Sequence, residues 1–291
     1  MMGITWAPRG AGPIPRAAMV GVVFAMLAGC AAPFGARQAS PEAVRRSLTA
    51  NVLSAGELSN FSTILLRRQN LVAAFDDEPQ SALQTLHERL GTGELPGDGL
   101  FSLSELSFHH ADRGGGKPYF LASAVYAYAF LFPDDPSLAP DRFDPRLRDA
   151  VDLYNRALTE AFEDAEGKYV APAAGTFTLP FGSIEVAFDD DQLVWGQRQL
   201  VRFTPATETE VLGFQNRYRQ PGIGAPLAAA TQPTDPDHPA RDFVGPNVRV
   251  PVSMLLRLPN PSAQIASVNL AAALEIYTIS DPPTTTVGEW T

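Results

Sequence analysis

The side chains that could do chemistry in this chain form no familiar catalytic pattern. The sequence lacks a G-x-S-x-G nucleophile elbow, a G-x-x-x-x-G-K-[ST] phosphate loop and an H-E-x-x-H zinc pair. We therefore assign no catalytic residue, no metal ligand and no cofactor.

The four histidines are not spaced as metal ligands. His109 and His110 are adjacent, so on a helix they point about 100° apart, whereas a helical metal pair needs a spacing of three or four residues. His87 lies in Thr85–Arg89, which we expect to form a polar helix face, and His238 lies in a loop of proline and aspartate. Structural or solvated roles are expected for all four.

Two acidic clusters invite a calcium or acid–base interpretation. Asp189, Asp190 and Asp191 are consecutive, whereas calcium loops place more oxygen ligands at alternate positions, usually with a glycine. We interpret them as a solvated turn between two strands. The run from Glu160 to Glu166 is interpreted as a solvated helix end.

The chain has one cysteine, and its position predicts a chemistry. Residues 17–28 form an uncharged apolar run of 12 residues after Arg9 and Arg16. The run is too short to span a bilayer and is typical of a signal peptide. It ends in Leu27-Ala28-Gly29-Cys30, which resembles the lipobox of bacterial lipoproteins. The resemblance implies cleavage between Gly29 and Cys30 and a diacylglycerol on the Cys30 sulfur.

This resemblance predicts a protein that is lipid-anchored in the bacterial cell envelope. Two or more acyl chains hold a protein firmly at a membrane. Ala31 and Ala32 follow the cysteine without an aspartate, which by similarity to enteric sorting favours the outer membrane, facing the periplasm. The alternative is an ordinary secretory signal with a coincidental cysteine. In either case the exported chain has no disulfide and depends on packing for its stability.

The charge of the chain restricts its partners. The net charge is −10, and removal of the first 29 residues would leave −12. Such a chain repels nucleic-acid phosphates and anionic head groups. We expect no nucleic-acid partner, and a membrane link through the lipid on Cys30. The oligomeric state stays open.

The pattern of apolar residues changes near Gly167 from a helical period to an alternating one. Helices are predicted before it, beginning at Ser40-Pro41-Glu42 and then over residues 61–75, 79–90, 100–112, 117–132 and 144–166. Strands are predicted after it, including a hairpin around Gly182-Ser183 and a pair formed by residues 248–258 and 268–278. Pro251 favours an edge or a bulge, and residues 220–242 are predicted to form a long loop.

Segregated helices and strands predict an α+β fold, with a helical-hairpin or bundle-like region followed by a mostly antiparallel β region. The predicted organisation is a signal peptide (1–29), a lipidated tether (30–41), a helical region (42–166) and a β-rich region (167–291).

Arg217 and Arg219 are the candidate docking residues. They stand two apart, as on one face of an extended strand, in the glycine- and proline-rich segment 216–227. Their guanidinium groups could bind a carboxylate or backbone carbonyls. A structured crossover loop or intramolecular docking is favoured over ligand binding.

Several segments resemble the N-terminal part of bacterial lipoproteins of the α/β-hydrolase family. They are Ser47–Ser54, Ala124–Pro133, Phe143–Arg146, Asp152–Thr159 and Asn216–Leu227. The resemblance covers roughly residues 40–280. It implies a serine hydrolase domain, of esterase or lipase type, further downstream, so that the present chain would be a truncated, non-catalytic N-terminal portion. The alternative is a complete, non-enzymatic envelope lipoprotein that acts as a scaffold or binding module.

Overall fold

The computed structural model describes residues 38–93, 95, 98–208, 222–235, 237, 245 and 247–278. The chain divides into two compact units, residues 1–44 and 45–291. The first unit is described only from residue 38, shortly before the first helix begins. That helix crosses the boundary between the units, and all later described elements belong to the second unit.

Nine α-helices occur in the described residues, eight of them before the sheet. They are α1 (Pro41–Thr49), α2 (Val52–Ala55), α3 (Asn60–Arg68), α4 (Val72–Asp77), α5 (Pro79–Gly91), α6 (Asp98–His110), α7 (Lys117–Leu131), α8 (Arg146–Ala161) and α9 (Pro261–Ile265). The predicted start of α1 is confirmed, because Ser40 Oγ accepts a hydrogen bond from Ala43 N.

The prediction of one helix over residues 61–75 is wrong. Asn70 has a φ of 56° and separates α3 from α4. Asparagine adopts this left-handed conformation more readily than most residues, and its sequence position alone did not reveal the break. A second irregularity is the π turn Ala111–Gly115, which joins α6 to α7.

A seven-stranded sheet follows the helices. Its strands are β1 (Gly175–Leu179), β2 (Gly182–Ala187), β3 (Val194–Trp195), β4 (Arg198–Pro205), β5 (Ala225–Pro233), β6 (Val250–Arg257) and β7 (Asn269–Thr278). The strand order is β1-β2-β7-β6-β5-β4-β3. All neighbours are antiparallel except β2 and β7, which are parallel. The α+β class and the mostly antiparallel sheet are therefore confirmed.

The loop predicted for residues 220–242 is wrong over its central part. Strand β5 lies inside the sheet, between β4 and β6. Its sequence, APLAAATQP, contains few of the β-branched and aromatic residues that usually indicate a strand. Small alanine side chains nevertheless fit here, because Ala225 and Ala229 are fully buried.

The sequence favoured an edge or a bulge at Pro251. The edge is wrong, because β6 pairs with strands on both sides, and neither described ladder shows a register shift. The described ladder to β7 ends with Val252 opposite Thr278. Pro251 thus lies beyond the part of β6 that β7 pairs with, where its missing N–H breaks no described β6–β7 hydrogen bond.

Helices and strands share one hydrophobic core. Helix α7 is apolar on all sides and has buried residues from Leu121 to Phe130. Helices α7 and α8 contact β1 and β5, respectively.

In β4, a bulge between Val201 and Phe203 includes Arg202 at a φ of 47°. Because the bulge inserts one residue, Leu200 and Phe203 are both buried although they stand three apart.

Candidate functional site

The site residues predicted from the sequence lie outside the described residues. This holds for the cleavage and lipidation residues Gly29 and Cys30, for the docking candidates Arg217 and Arg219, and for His238. Their roles stay predictions.

His87 is the histidine with the most developed surroundings. Its Nδ1 lies 2.9 Å from the Tyr126 hydroxyl, and its ring stacks on Phe181 with centroids 4.4 Å apart. Tyr126 comes from α7 and Phe181 from the turn between β1 and β2. The predicted polar helix face is therefore wrong for His87, which is half-buried where α5, α7 and this turn meet.

The His87–Tyr126 pair is electrically neutral at pH 7. Burial lowers the pKa of His87 and raises the pKa of Tyr126 well above its usual range. The tyrosine hydroxyl can therefore donate to a neutral imidazole. With Phe181 covering the ring, the contact fastens the β1–β2 turn to the helices.

His109 and His110 lie at the end of α6 and face different neighbours. The His109 ring is 5.6 Å from that of Phe75, and burial followed by the charge of Arg113 lowers its pKa to about 4. The His110 ring meets Tyr119 edge-on at 4.4 Å. Its buried Nε2 has no hydrogen-bond partner among the described atoms, so it is suited to the neutral form.

The acidic clusters serve turns and helix ends. Asp189 accepts a hydrogen bond from Asp191 N and begins an exposed 3₁₀ turn between β2 and β3, which confirms the predicted solvated turn. Glu160 pairs with Arg156 at 2.7 Å, and Asp164 accepts from Lys168 N. Within the described part of the chain, no three His, Cys, Asp or Glu side chains gather as metal ligands.

Glu105 is a fully buried acid at the centre of the helical layer. Its Oε1 accepts from Val52 N at 3.3 Å and from Ser59 N at 3.0 Å. Its Oε2 accepts from the hydroxyls of Ser59 and Ser62. Burial raises the pKa of Glu105, although these four hydrogen bonds oppose the rise.

The partners of Glu105 explain what it does. Val52 is the first residue of α2, and Ser59 is the N-cap of α3. Backbone N–H groups at the start of a helix have no partner inside the helix. The carboxyl group of Glu105 satisfies one at each of two helix starts and so ties α2 and α3 to α6. We name Glu105, Ser59 and Ser62 the acid clasp.

Helix α8 completes the hydrogen bonding of the sheet where β5 begins. Strand β5 starts at Ala225, opposite Met254, and does not reach Leu256. The Tyr154 hydroxyl donates to Leu256 O at 2.8 Å and accepts from Leu256 N at 2.7 Å. The hydroxyl thus replaces a missing strand residue.

The neighbouring residue, Asn155, holds the chain that leads into β5. Its amide donates to Gly222 O at 2.9 Å and accepts from Gly224 N at 2.7 Å. Two consecutive side chains of α8 therefore fix both β6 and the entry to β5.

Gln192 completes the hydrogen bonding of β7 on the side where its pairing with β2 ends. Strand β2 pairs with β7 only as far as Ala187 opposite Ala273. Beyond that point Gln192 accepts from Ile276 N at 2.8 Å and donates to Leu274 O at 3.4 Å. We name Tyr154, Asn155 and Gln192 the sheet caps.

Sequence reasoning missed the acid clasp and the sheet caps. The available signal for the clasp was one acid inside an apolar helix, in Leu103-Ser104-Glu105-Leu106. The helical spacing of apolar residues places Tyr154 on the buried face of its helix, where it does lie, but nothing in the sequence indicated that its hydroxyl would bond to a strand 102 residues away.

Comparison with protein-family models, curated proteins and solved structures found no match for this chain. None of the helices in the described ranges is both long and apolar enough to cross a bilayer.

Proposed function

We propose that this chain is a lipid-anchored protein of the bacterial envelope whose folded unit is a non-catalytic module. The observation that carries the proposal is the single cysteine, which follows the apolar run and Leu27-Ala28-Gly29. The first 29 residues act as the signal peptide, and residues 30–41 form the tether. The anchor lies in the outer membrane and faces the periplasm.

The chemistry of the buried polar groups favours a non-catalytic module. Glu105 is fully buried and bonded to helix starts, so it cannot reach a substrate. Tyr154 and Asn155 bond to sheet backbone, and His87 is covered by Phe181. These groups have structural partners, whereas a general base must lie within reach of a proton on the substrate.

The resemblance to α/β-hydrolase lipoproteins gives the module a context. In that context the helical part is a hairpin- or bundle-like platform, and an esterase or lipase activity belongs to a separate hydrolase domain. Arg217 and Arg219 would dock that domain or the module's own β region. The alternative is an envelope scaffold or binding module without any hydrolase.

The DNA downstream of this coding sequence separates these two contexts. A G-x-S-x-G domain there, in frame or after a frameshift, favours the hydrolase context, whereas unrelated sequence favours the scaffold.

The anchor is tested by membrane fractionation of a bacterial host that expresses the chain. Cys30→Ser should abolish incorporation of labelled fatty acid and should stop cleavage before residue 30. Ala31→Ser is the matched control and should be acylated like the parent. A Cys30→Ser chain that is still trimmed and fatty-acylated would overturn the proposal.

The non-catalytic role is tested with short-chain ester substrates and the purified chain. We expect no hydrolysis above that of a heat-denatured sample. Hydrolysis that is lost when one particular serine is replaced would identify a catalytic site and contradict the proposed role.

A further inference from the structure

One end of the sheet is a strand without the usual protection against pairing with another chain. Strand β1 is a terminal strand, and among the described strands it pairs only with β2. Its residues, GTFTL, include no charge and no proline, and its ladder has no bulge. Edge strands in proteins usually carry one of these features or are very short, because their unpaired backbone groups can bind another strand. The strand at the other end, β3, has only two residues.

The hydrogen bonds of β2 show which of its residues bond to β1. Ser183 N donates to Val268 O at 2.9 Å, so the backbone of Ser183 points toward β7. The backbone groups of successive residues in a strand point to opposite neighbours. Gly182 and Ile184 therefore bond to β1.

The same alternation in β1 turns the backbone of two threonines outward. The partners of Gly182 and Ile184 are Leu179 and Phe177, whose backbone groups therefore point toward β2. The N–H and C=O groups of Thr176 and Thr178 point the other way. Within the described part of the chain neither threonine has a hydrogen bond on that side, and both are exposed.

The strand is complementary to itself about Phe177. In an antiparallel pair with a twofold axis, Phe177 would lie opposite Phe177 of a second copy, and Thr176 opposite Thr178 of that copy. Each pair of threonines would exchange both N–H···O bonds, and threonine and aromatic pairs across strands are favourable. Phe177 is half-buried beside Phe162, so part of its ring is open to a partner.

The charge around this edge also suits a second copy. The whole chain has a net charge of −10, but residues 169–184 contain no charged side chain. The next residue, Glu185, lies on β2. The β2 strands of two paired copies would be three strand spacings apart, which is about 14 Å and exceeds the screening length of about 8 Å at physiological salt. Two acidic copies can therefore meet at this edge with little repulsion.

We propose that two copies of the chain pair through β1, as antiparallel strands related by a twofold axis, so that the sheet continues from one copy into the other. The partner is a second copy because the uncharged Thr-Phe-Thr pattern reads the same in both directions. The pairing uses few residues, so the dimer is weak and reversible. It does not depend on the proposed lipid anchor.

Sedimentation over a range of concentrations tests the dimer. The sample is the chain from residue 30 with Cys30→Ser, which contains the whole of the unit 45–291 and cannot be acylated. Thr178→Pro removes an outward N–H, which an edge strand tolerates. It should weaken the dimer about tenfold or more, because two hydrogen bonds per dimer are lost. Thr178→Val keeps the N–H and is the matched control, which should dimerise like the parent.

Cysteine crosslinking tests the register without a proline. The Cα atoms of Thr176 and of Thr178 in the second copy would be about 5.5 Å apart, within the range of a disulfide. With Cys30→Ser throughout, a mixture of Thr176→Cys chains and Thr178→Cys chains should form far more disulfide-linked dimer on mild oxidation than either variant alone.

Three results would overturn the proposal. The first is a parent chain that stays monomeric up to its highest soluble concentration. The second is a dimer that Thr178→Pro does not weaken, which would mean that the copies meet at another surface. The third is crosslinking of Thr176→Cys alone that equals crosslinking of the mixture, which would exclude the antiparallel register.

Discussion

The helical layer and the sheet satisfy their buried backbone groups in two different ways. In the helical layer one ionisable side chain, Glu105, accepts hydrogen bonds from the starts of two helices. At the sheet, neutral side chains take the place of strand partners that are missing. Tyr154 bonds to the backbone of Leu256 in this way, and Gln192 bonds to the backbone of Ile276.

This difference predicts that the stability of the helical layer depends on pH, whereas the stability of the sheet depends on the accurate placement of neutral side chains. An ionisable acceptor can hold several donors, but its burial makes the charged form costly. A hydroxyl or amide carries no such cost, but it must be placed accurately because it both donates and accepts. The acid clasp should therefore tolerate a neutral replacement of the same shape, and the sheet caps should not tolerate truncation.

The largest expected effect is that of Glu105→Ala. Two buried N–H groups and two hydroxyls would lose their acceptor, and a cavity would open, so the free energy of unfolding should fall by about 3–5 kcal/mol. Urea unfolding measures this fall. Glu105→Gln is the matched control and should cost far less, because its carbonyl can accept from both N–H groups. Equal losses for the two variants would show that the charge, and not the hydrogen bonding, is needed.

Tyr154→Phe should have the next largest effect. It would leave the buried N–H and C=O of Leu256 without partners, which should cost about 2 kcal/mol in urea unfolding. Tyr126→Phe is the control, because it removes a buried hydroxyl whose hydrogen-bond partner among the described residues is the half-buried His87. Its cost should be about 1 kcal/mol or less. If the two variants were equally stable, the role assigned to the Tyr154 hydroxyl would be wrong.

Gln192→Ala should destabilise the protein by about 1 kcal/mol, because its contacts to β7 are partly buried and one of them is long. The exposed residue Gln232, whose side chain bonds to the Gln199 side chain at 3.4 Å, provides the control. Hydrogen exchange of the Ile276 N–H should also become faster in Gln192→Ala and should not change in Gln232→Ala. Unchanged exchange in Gln192→Ala would show that Gln192 does not protect the backbone of β7 and is not a sheet cap.

The smallest expected effect is a pH dependence that comes from the acid clasp. Burial raises the pKa of Glu105 above its ordinary value of 4.5. The folded state therefore favours the protonated carboxyl, and the stabilisation is complete below 4.5 and is lost as the pH rises through the raised pKa. Above that pKa the contribution is constant.

Comparison with Glu105→Gln isolates this pH dependence, since the other titrating groups are shared. Relative to Glu105→Gln, the parent should lose stability as the pH rises from about 4.5, its ordinary value. A parent that instead gains stability relative to the variant over this interval would mean that the four hydrogen bonds outweigh burial.

The sequence predicted those parts of the fold that depend on local patterns. The start of α1 at Pro41, the hairpin of β1 and β2, and the pairing of β6 with β7 all follow from caps, turns and alternation. It failed at β5, because alanine carries little strand signal. It failed at Asn70 because one left-handed residue leaves no periodic trace.

The candidate site was less predictable than the fold. Glu105 and Ser59 are 46 residues apart in the chain, and the contact between Tyr154 and Leu256 is longer still. Periodicity can place a residue on the buried face of a helix, but it cannot identify the backbone group which that residue will meet. The lipid anchor proposed at Cys30 rests on a short segment of sequence and on no feature of the fold, and it stays a prediction.

The most direct test of the account is the mass of the N-terminal peptide from membrane-extracted protein. We predict a peptide that begins at Cys30 and carries a diacylglyceryl group on the sulfur. A peptide with a free Cys30 thiol, or one that still contains Gly29, would contradict the lipid anchor and with it the proposed place of the module at the membrane.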